Sequence, residues 1–330
     1  MCGVQRRPTL EDVAARAGVS RALVSIVMRD APGASVATRS HVRRVADEIG
    51  YRPDPRARML RSQRTRLLGV VFTAGQEFHA ELVDGIYLAA EARGYDVLLS
   101  CMTPNRDEKR AVRTLLDDHC EALVLIGTGL TRAGLTDLDA RLPVVAVARR
   151  VRGVDAVRSD DAAGAAMAAA HLAELGHRDV VHVDGARAPG AADRRRGFDR
   201  AGAALGMAVT TTPGGLTERE GAAAATHLLE SDSLPTAVFA FNDRCALGVL
   251  DVLIRAGVRV PDDVSVVGFD DSPLAGLAHV DLTTVGQDGA RLAELAVARA
   301  VERLDSPAPG RVDEVCQPHL VIRGSTGTPR

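Results

Sequence analysis

From Leu67 onward, short apolar runs alternate with helix-length stretches, and this alternation restricts the fold more than any other feature of the chain. LLGVVFT (67–73), YDVLLS (95–100), EALVLIG (121–127) and PVVAVAR (143–149) read as buried strands. DVVHVDG (179–185), MAVTTT (207–212), TAVFAFN (236–242) and VSVVGFD (264–270) repeat the pattern. A strand apolar on both faces must be covered on both, as in a parallel sheet between layers of helices. The segments near 79–93, 106–118, 161–175, 191–205, 217–231 and 242–256 are predicted to be those helices. A last helix, 288–304, and short strands 312–316 and 318–323 follow. Eight or so such strands fit either one large sheet or two α/β lobes, and periodicity does not choose between them.

The first 50 residues have another texture. Thr9 with Asp12 three residues on is a capped helix start, and Leu10, Val13, Ala14 and Ala17 then share one face. Gly18 ends that helix. Ser20 is expected to cap a second helix over Arg21–Met28, with Leu23, Val24 and Val27 pointing inward. Thr38 is expected to cap a third, with Val42, Val45, Ala46 and Ile49 inside. Three short helices joined by tight turns make a helix-turn-helix bundle. In such a unit the second helix enters the major groove, and its N-terminal residues meet base edges. Here those residues are Arg21, Ala22 and Ser25, with Ile26 one turn after Ala22. Arg21 can bond guanine O6 and N7 as a fork, worth about 1–3 kcal/mol of discrimination. Ile26 has no donor for guanine, so it either contacts a thymine methyl or packs. Ser20, Ser25, Thr38, Arg39 and Arg43 suit phosphate contacts, which position without specifying.

Charge supports this division. The net charge is −2, yet residues 1–66 carry 14 arginines against six acidic residues, +8, and the remainder carries −10. A basic head on an acidic body is expected where one end meets a polyanion. Between them lies YRPDPRARMLRSQRTR (51–66), whose prolines 53 and 55 break the preceding helix. Pro55 suits the first turn of a new one. The segment holds six arginines and only Met59 and Leu60 as bulky apolar side chains, unlike a flexible Gly/Ser linker.

Several classes are disfavoured. Five cysteines (Cys2, Cys101, Cys120, Cys245, Cys316) lie scattered with no C-x-x-C pair, which argues against a disulfide framework or a zinc cluster. The N-terminus has no apolar signal core, and no apolar run approaches the roughly 18 residues of a membrane span. A cytosolic protein with no membrane partner is expected. GTG at 127–129 lacks the third glycine of a dinucleotide fingerprint, and no G-x-S-x-G elbow occurs. Neither a cofactor nor an enzymatic activity is expected.

Nine motifs in register carry a resemblance. TLEDVAARAGVSRALVS, IGYRPDPRARMLRS, LGVVF, LAELGHRDVVHVDG, RRRGFDRAG, AFNDRCALGVL, VVGFDD, LTTVGQD and PHLVIRGST occur in that order. Together they resemble the lac/gal repressor (LacI/GalR) family of bacterial transcription regulators, from about Pro8 to Thr326. The resemblance implies a helix-turn-helix head (1–52), a hinge helix (53–65) and a core (66–330) with a two-lobed periplasmic-binding-protein-like fold. The lobes would be 66–159 with 288–316, and 160–287 with 317–330, joined by crossings near Arg158–Asp161, Val285–Asp288 and Cys316–Pro318. It further implies a homodimer on double-stranded operator DNA, with an effector between the lobes. Similar proteins usually carry arginine where this chain has Ile26. In the hinge, Leu60 matches a leucine that wedges into the minor groove and Ala57 the small residue beside it. Arg56, Arg58 and Arg61 surround them. A wedge costs a few kcal/mol of unstacking, offset by contacts to the bent duplex.

For the effector cleft the resemblance points to Arg194 of the R-x-x-G pattern, to Asn242 and Asp243 of FND, and to Asp270 of GFDD. Asp160 lies near the first crossing. Phe78, His79 and Phe241 are candidate linings, and Arg149 is placed to reach the pocket from beside Ala148, where sugar-binding relatives place aspartate. The chain has no tryptophan, and Leu216 stands at a loop position that is often aromatic. Phe72 and Phe269 remain further stacking candidates. A sugar, polyol or nucleoside fits this donor set. No heptad tail follows Arg323, which speaks against a coiled-coil tetramer. Two rival classes share parts of the pattern. A sugar- or nucleoside-binding transport component needs an export signal and no DNA-reading head; an α/β enzyme needs a phosphate loop or nucleophile elbow.

Overall fold

A computed structural model describes residues 8–52, 64–231, 233–306 and 310–330. It divides into two units, Met1–Thr65 and Arg66–Arg330. Arg56, Ala57 and Leu60, expected to form a hinge, lie outside the described residues.

The head contains three helices, α1 (Leu10–Ala17), α2 (Arg21–Met28) and α3 (Val36–Glu48). Thr9 and Asp12 close a reciprocal cap at the start of α1. Gly18, at φ 65°, turns the chain out of that helix where a Cβ would be strained. Ser20 accepts from the Leu23 amide, 3.2 Å away, and so caps α2. The third cap differs from expectation. Ser35, not Thr38, is the N-cap, α3 begins three residues earlier, and the Thr38 amide donates to Ser35 Oγ at 3.2 Å. Val13, Val24, Val27, Val42, Val45, Ala46 and Tyr51 form the small core. Leu23, expected inside, is half-buried and stands apart from that cluster.

The second unit is built on two six-stranded sheets. The first uses β1 (Leu67–Thr73), β2 (Asp96–Met102), β3 (Ala122–Ile126), β4 (Val144–Val147), β5 (Asp155–Ser159) and β11 (Asp313–Cys316), in the order β11-β5-β4-β3-β1-β2. Its pairs are all parallel. The second uses β6 (Asp179–Asp184), β7 (Ala208–Pro213), β8 (Ala237–Ala240), β9 (Ser265–Asp270), β10 (Thr283–Gly286) and β12 (His319–Val321), in the order β12-β10-β9-β8-β6-β7. Here β12 runs antiparallel along the edge. The open choice between one sheet and two is therefore resolved as two lobes.

Helices cover both sheets. On the first lobe are α4 (Glu77–Glu91), α5 (Glu108–Asp117), α6 (Arg132–Asp139) and α11 (Gly289–Asp305). On the second are α7 (Asp161–Leu175), α8 (Ala191–Ala204), α9 (Glu218–Leu229) and α10 (Asp243–Arg255). The chain passes between lobes three times: at Asp160 from β5 to α7, at Gln287–Asp288 from β10 to α11, and at 317–318 from β11 to β12. A buried ionic cluster fixes α11 to its lobe. Asp155, fully buried, accepts from Arg299 Nε and the Val312 amide, each at 2.9 Å, while Arg303 bridges Asp155 and Asp139.

Candidate functional sites

In an open α/β sheet, side chains that leave the C-terminal ends of parallel strands converge on a crevice. Both lobes present such ends to one cleft. Thr73, Gly127 and Ala148 come from the ends of β1, β3 and β4, and Phe241, Asn242, Asp270 and Gln287 from those of β8, β9 and β10. Gln76, Phe78, His79, Asp161, Pro189, Arg194 and Leu216 complete the lining.

Arg194 is the centre of the polar array. It is 5% exposed, donates from Nε to Asp161 Oδ1 at 2.8 Å, and from Nη1 to the Phe241 carbonyl at 2.7 Å. Its guanidinium lies 3.5 Å from the ring centre of Phe269 and 4.6 Å from that of Phe241. Cation–π contact on both rings and two charge-assisted hydrogen bonds fix its plane before any ligand arrives. Nη2 stands 3.7 Å from Asp270 Oδ1, beyond hydrogen-bond reach, which leaves donors for a guest.

Asp270 accepts from Gln287 Nε2 at 2.8 Å. Burial pushes its carboxyl up to about 7, with Arg194 pulling the other way. Its φ is 113° and that of Asp271 is 54°, while Ala148 across the cleft has φ 60°. Non-glycine residues held there cost on the order of 1–3 kcal/mol each, a strain that collects at binding sites. His79 accepts the Thr73 amide on Nδ1 at 3.0 Å, so its proton sits on Nε2. Burial lowers its pKa to about 4, which makes it a neutral donor near pH 7. A Cβ on Gly127 would come within 3.1 Å of that ring and press it back by a few tenths of an ångström.

Six of the expected residues thus meet in the cleft: Phe78, His79, Arg194, Phe241, Asn242 and Asp270. Three do not. Asp160 spends its carboxylate on the Ala163 amide as the cap of α7, and Asp161, one residue on, faces Arg194 instead. Arg149 turns to the carbonyls of Thr128 and Leu130. Asp243 lies behind the lining, 1% exposed, and accepts from Thr284 Oγ1 at 2.6 Å and the Ser272 amide at 2.7 Å. Burial raises its carboxyl to about 6. Asn242 has a partly structural task, since Oδ1 caps α10 on Cys245 and Nδ2 donates to the Leu216 carbonyl. Of the further stacking candidates, Phe72 is half-buried in the first lobe's core, and Phe269 is fully buried beneath Arg194. Thr73, Gln76 and Gln287 escaped sequence reasoning; only their position at or shortly after a strand end marks them.

On the head, Arg21 and Ala22 are exposed and Ser25 is half-buried. Arg21 stands 3.6 Å from Glu11. Ile26 is half-buried, its methyls 3.8 and 3.9 Å from where a Cβ on Gly33 would stand, so it leans on the loop after α2. Thr38 Oγ1 pairs with Ser35 Oγ at 2.8 Å. Arg39 is mostly committed: it donates to Asp30 and to the carbonyls of Ala31 and Ala34. Its visible task is to clip the loop between α2 and α3 rather than to offer a free charge. Arg43 also reaches Asp30, at 2.8 Å.

A helix-turn-helix head carried with a cleft-bearing, two-lobed α/β core defines a DNA-binding regulator of transcription. Residues 9–54 match the family described as bacterial regulatory proteins, lacI family, and residues 169–326 match a periplasmic binding protein-like domain. The HTH-type transcriptional regulator CelR of Thermobifida fusca is 32% identical over 339 residues, 97% of this chain and 99% of its own. The crystal structure of a LacI transcriptional regulator from a Rhodococcus species is 51% identical, covers 79% of this chain and 98% of its own, and has a TM-score of 0.76. The lac repressor dimer bound to operator and the anti-inducer ONPF is 25% identical over 98% of this chain and all of its own, with a TM-score of 0.84. The chain belongs to the LacI family of bacterial regulatory proteins. Among the described residues no helix is long and apolar enough to cross a membrane.

Proposed function

We propose that the chain is a cytoplasmic, homodimeric repressor whose affinity for double-stranded operator DNA is set by a neutral, hydroxyl-rich small molecule in the Arg194 cleft. The observation that carries the effector class is the charge of the array. One guanidinium stands between two carboxyl groups, Asp161 and Asp270, so an anionic guest meets no net positive charge. Asp161 also lies against Gly190 at the start of α8, where the helix N-terminus would otherwise receive an anion. Hydroxyls satisfy both kinds of partner at once, because each donates to a carboxylate and accepts from a guanidinium. Phe78, Phe241 and Leu216 supply the apolar walls.

On the DNA side, Ser20, Arg21, Ala22, Ser25 and Ile26 are the proposed contacts of α2, with Thr38 beside them at α3, while Arg39 holds the loop between the two helices in place. Arg56, Ala57 and Leu60 are the proposed hinge contacts. Effector binding changes the angle between lobes and thereby the population of the operator-binding form. Asp243 is bonded away behind the cleft, which leaves Asp161 and Asp270 as the carboxyl groups that face a guest. Genomic footprinting of the full chain, followed by thermal-shift titration with sugars, polyols and nucleosides, tests the proposal. A Tm rise with a neutral polyol that Arg194→Met abolishes is expected; stabilisation by anions alone would sink the effector assignment.

A further inference from the structure

Arg244, the second residue of α10, joins the two lobes beside the cleft. Its Nε and Nη2 donate to the two oxygens of Glu218, at 2.8 and 2.6 Å, as a fork within the second lobe. Its Nη1 donates to the Gly75 carbonyl of the first lobe. Glu77, also of the first lobe, adds an attractive charge, and its Oε2 is buried without a hydrogen-bond partner among the described residues. The arginine side chain is 21% exposed, so solvent does not fully screen these contacts.

The clasp is built from the cleft's own loops. Gln76, Leu216 and Asn242 line the cleft, and each stands within two residues of a clasp group: Gly75 and Glu77, Glu218, and Arg244. The three chain crossings join the lobes covalently at Asp160, Gln287–Asp288 and 317–318. The clasp adds a breakable link at the lining loops. If the lobes part, Arg244 keeps Glu218, and the Gly75 bond is exchanged for water as the attraction to Glu77 weakens. That is a contact light enough to cycle and strong enough to bias.

We propose that Arg244 is a positioning residue whose grip on Gly75 holds the empty lobes closed, setting Gln76, Leu216 and Asn242 together and making clasp release a step in effector entry. The proposal leans on the effector reading only for what the cleft admits. Its test needs neither effector nor operator, so either can fail alone. In the full chain, with its five cysteines replaced by serine or alanine, nitroxide labels at Arg113→Cys and Arg200→Cys report the lobe separation by pulsed dipolar spectroscopy. Both positions are exposed, one on each lobe. With labelled chains diluted in unlabelled ones, the parent should give one short distance population within the protomer. Arg244→Met should raise the separated population roughly tenfold or more, the weight of one hydrogen bond to a charged group. Arg244→Lys, which keeps the charge but loses the fork, should fall between them. Should Arg244→Met fail to fold, Glu218→Gln, which loosens the arginine's anchor, must shift the distances the same way. Distributions that superpose on the parent's in every folded variant overturn the proposal.

Discussion

Replacing Asp270 by asparagine should stabilise the protein in alkaline solution and not in acid. The carboxyl titrates near 7 in the folded chain against an ordinary value of 3.8, chiefly because burial penalises its charged form. A raised folded pKa means that protonation favours the fold. That contribution is fully present below 3.8 and is lost as the pH rises through 7. Over the whole span the shift corresponds to about 4 kcal/mol, and between pH 5 and pH 8.5 to about 2–3 kcal/mol. The side chain is 15% exposed toward the cleft, so the lower figure is the better expectation. Asparagine carries no charge and keeps an acceptor for Gln287. The Tm of Asp270→Asn should therefore gain on the parent by roughly 5–10 °C between those pH values. Parallel Tm curves for parent and variant across pH 5–8.5, measured by calorimetry, would refute the claim that burial holds this carboxyl up. A stability penalty retained at a cleft is what binding sites commonly carry.

Three further perturbations probe other parts of the molecule. Arg21→Ala should cost about 1–3 kcal/mol of discrimination at one base pair of a selected operator while leaving non-specific binding nearly intact, as read by quantitative footprinting. Arg39→Ala should lower the head's melting temperature without changing the salt dependence of DNA binding; a slope smaller by about one would make it a phosphate contact instead. Arg299→Ala strips Asp155 of a buried partner and should destabilise the core by about 3–5 kcal/mol in urea unfolding, whereas Glu302→Ala, at an exposed rim pair, should cost under about 1 kcal/mol.

The strands that sequence made visible are those with long apolar runs. LLGVVFT and EALVLIG lie between helical layers, and burial on both faces requires such runs. β5 (DAVRS) and β10 (TTVG) were invisible because each offers only one or two aliphatic residues; neighbours on both sides make them strands. α6 (RAGLTDLD) hid for a related reason, with a glycine and two aspartates in eight residues. At the cleft, motif residues such as Arg194 and Asp270 were legible because their chemistry is unusual for an α/β core. The exchange of Asp160 for Asp161 was not, since helix-cap geometry alone decides which of two adjacent carboxylates turns inward. Thr73, Gln76 and Gln287 are ordinary polar residues, and only the folded topology brings them together.

The most direct test of the central claim is the operator affinity of the full chain, measured with and without a cleft-binding compound, for the parent and for Arg194→Met. The account predicts that the parent prefers its footprinted site to shuffled DNA by at least about a thousandfold. It further predicts that the compound changes that affinity in the parent, and that Arg194→Met still binds the site but no longer responds. Equal affinity for shuffled DNA, or a response that survives in Arg194→Met, would contradict it.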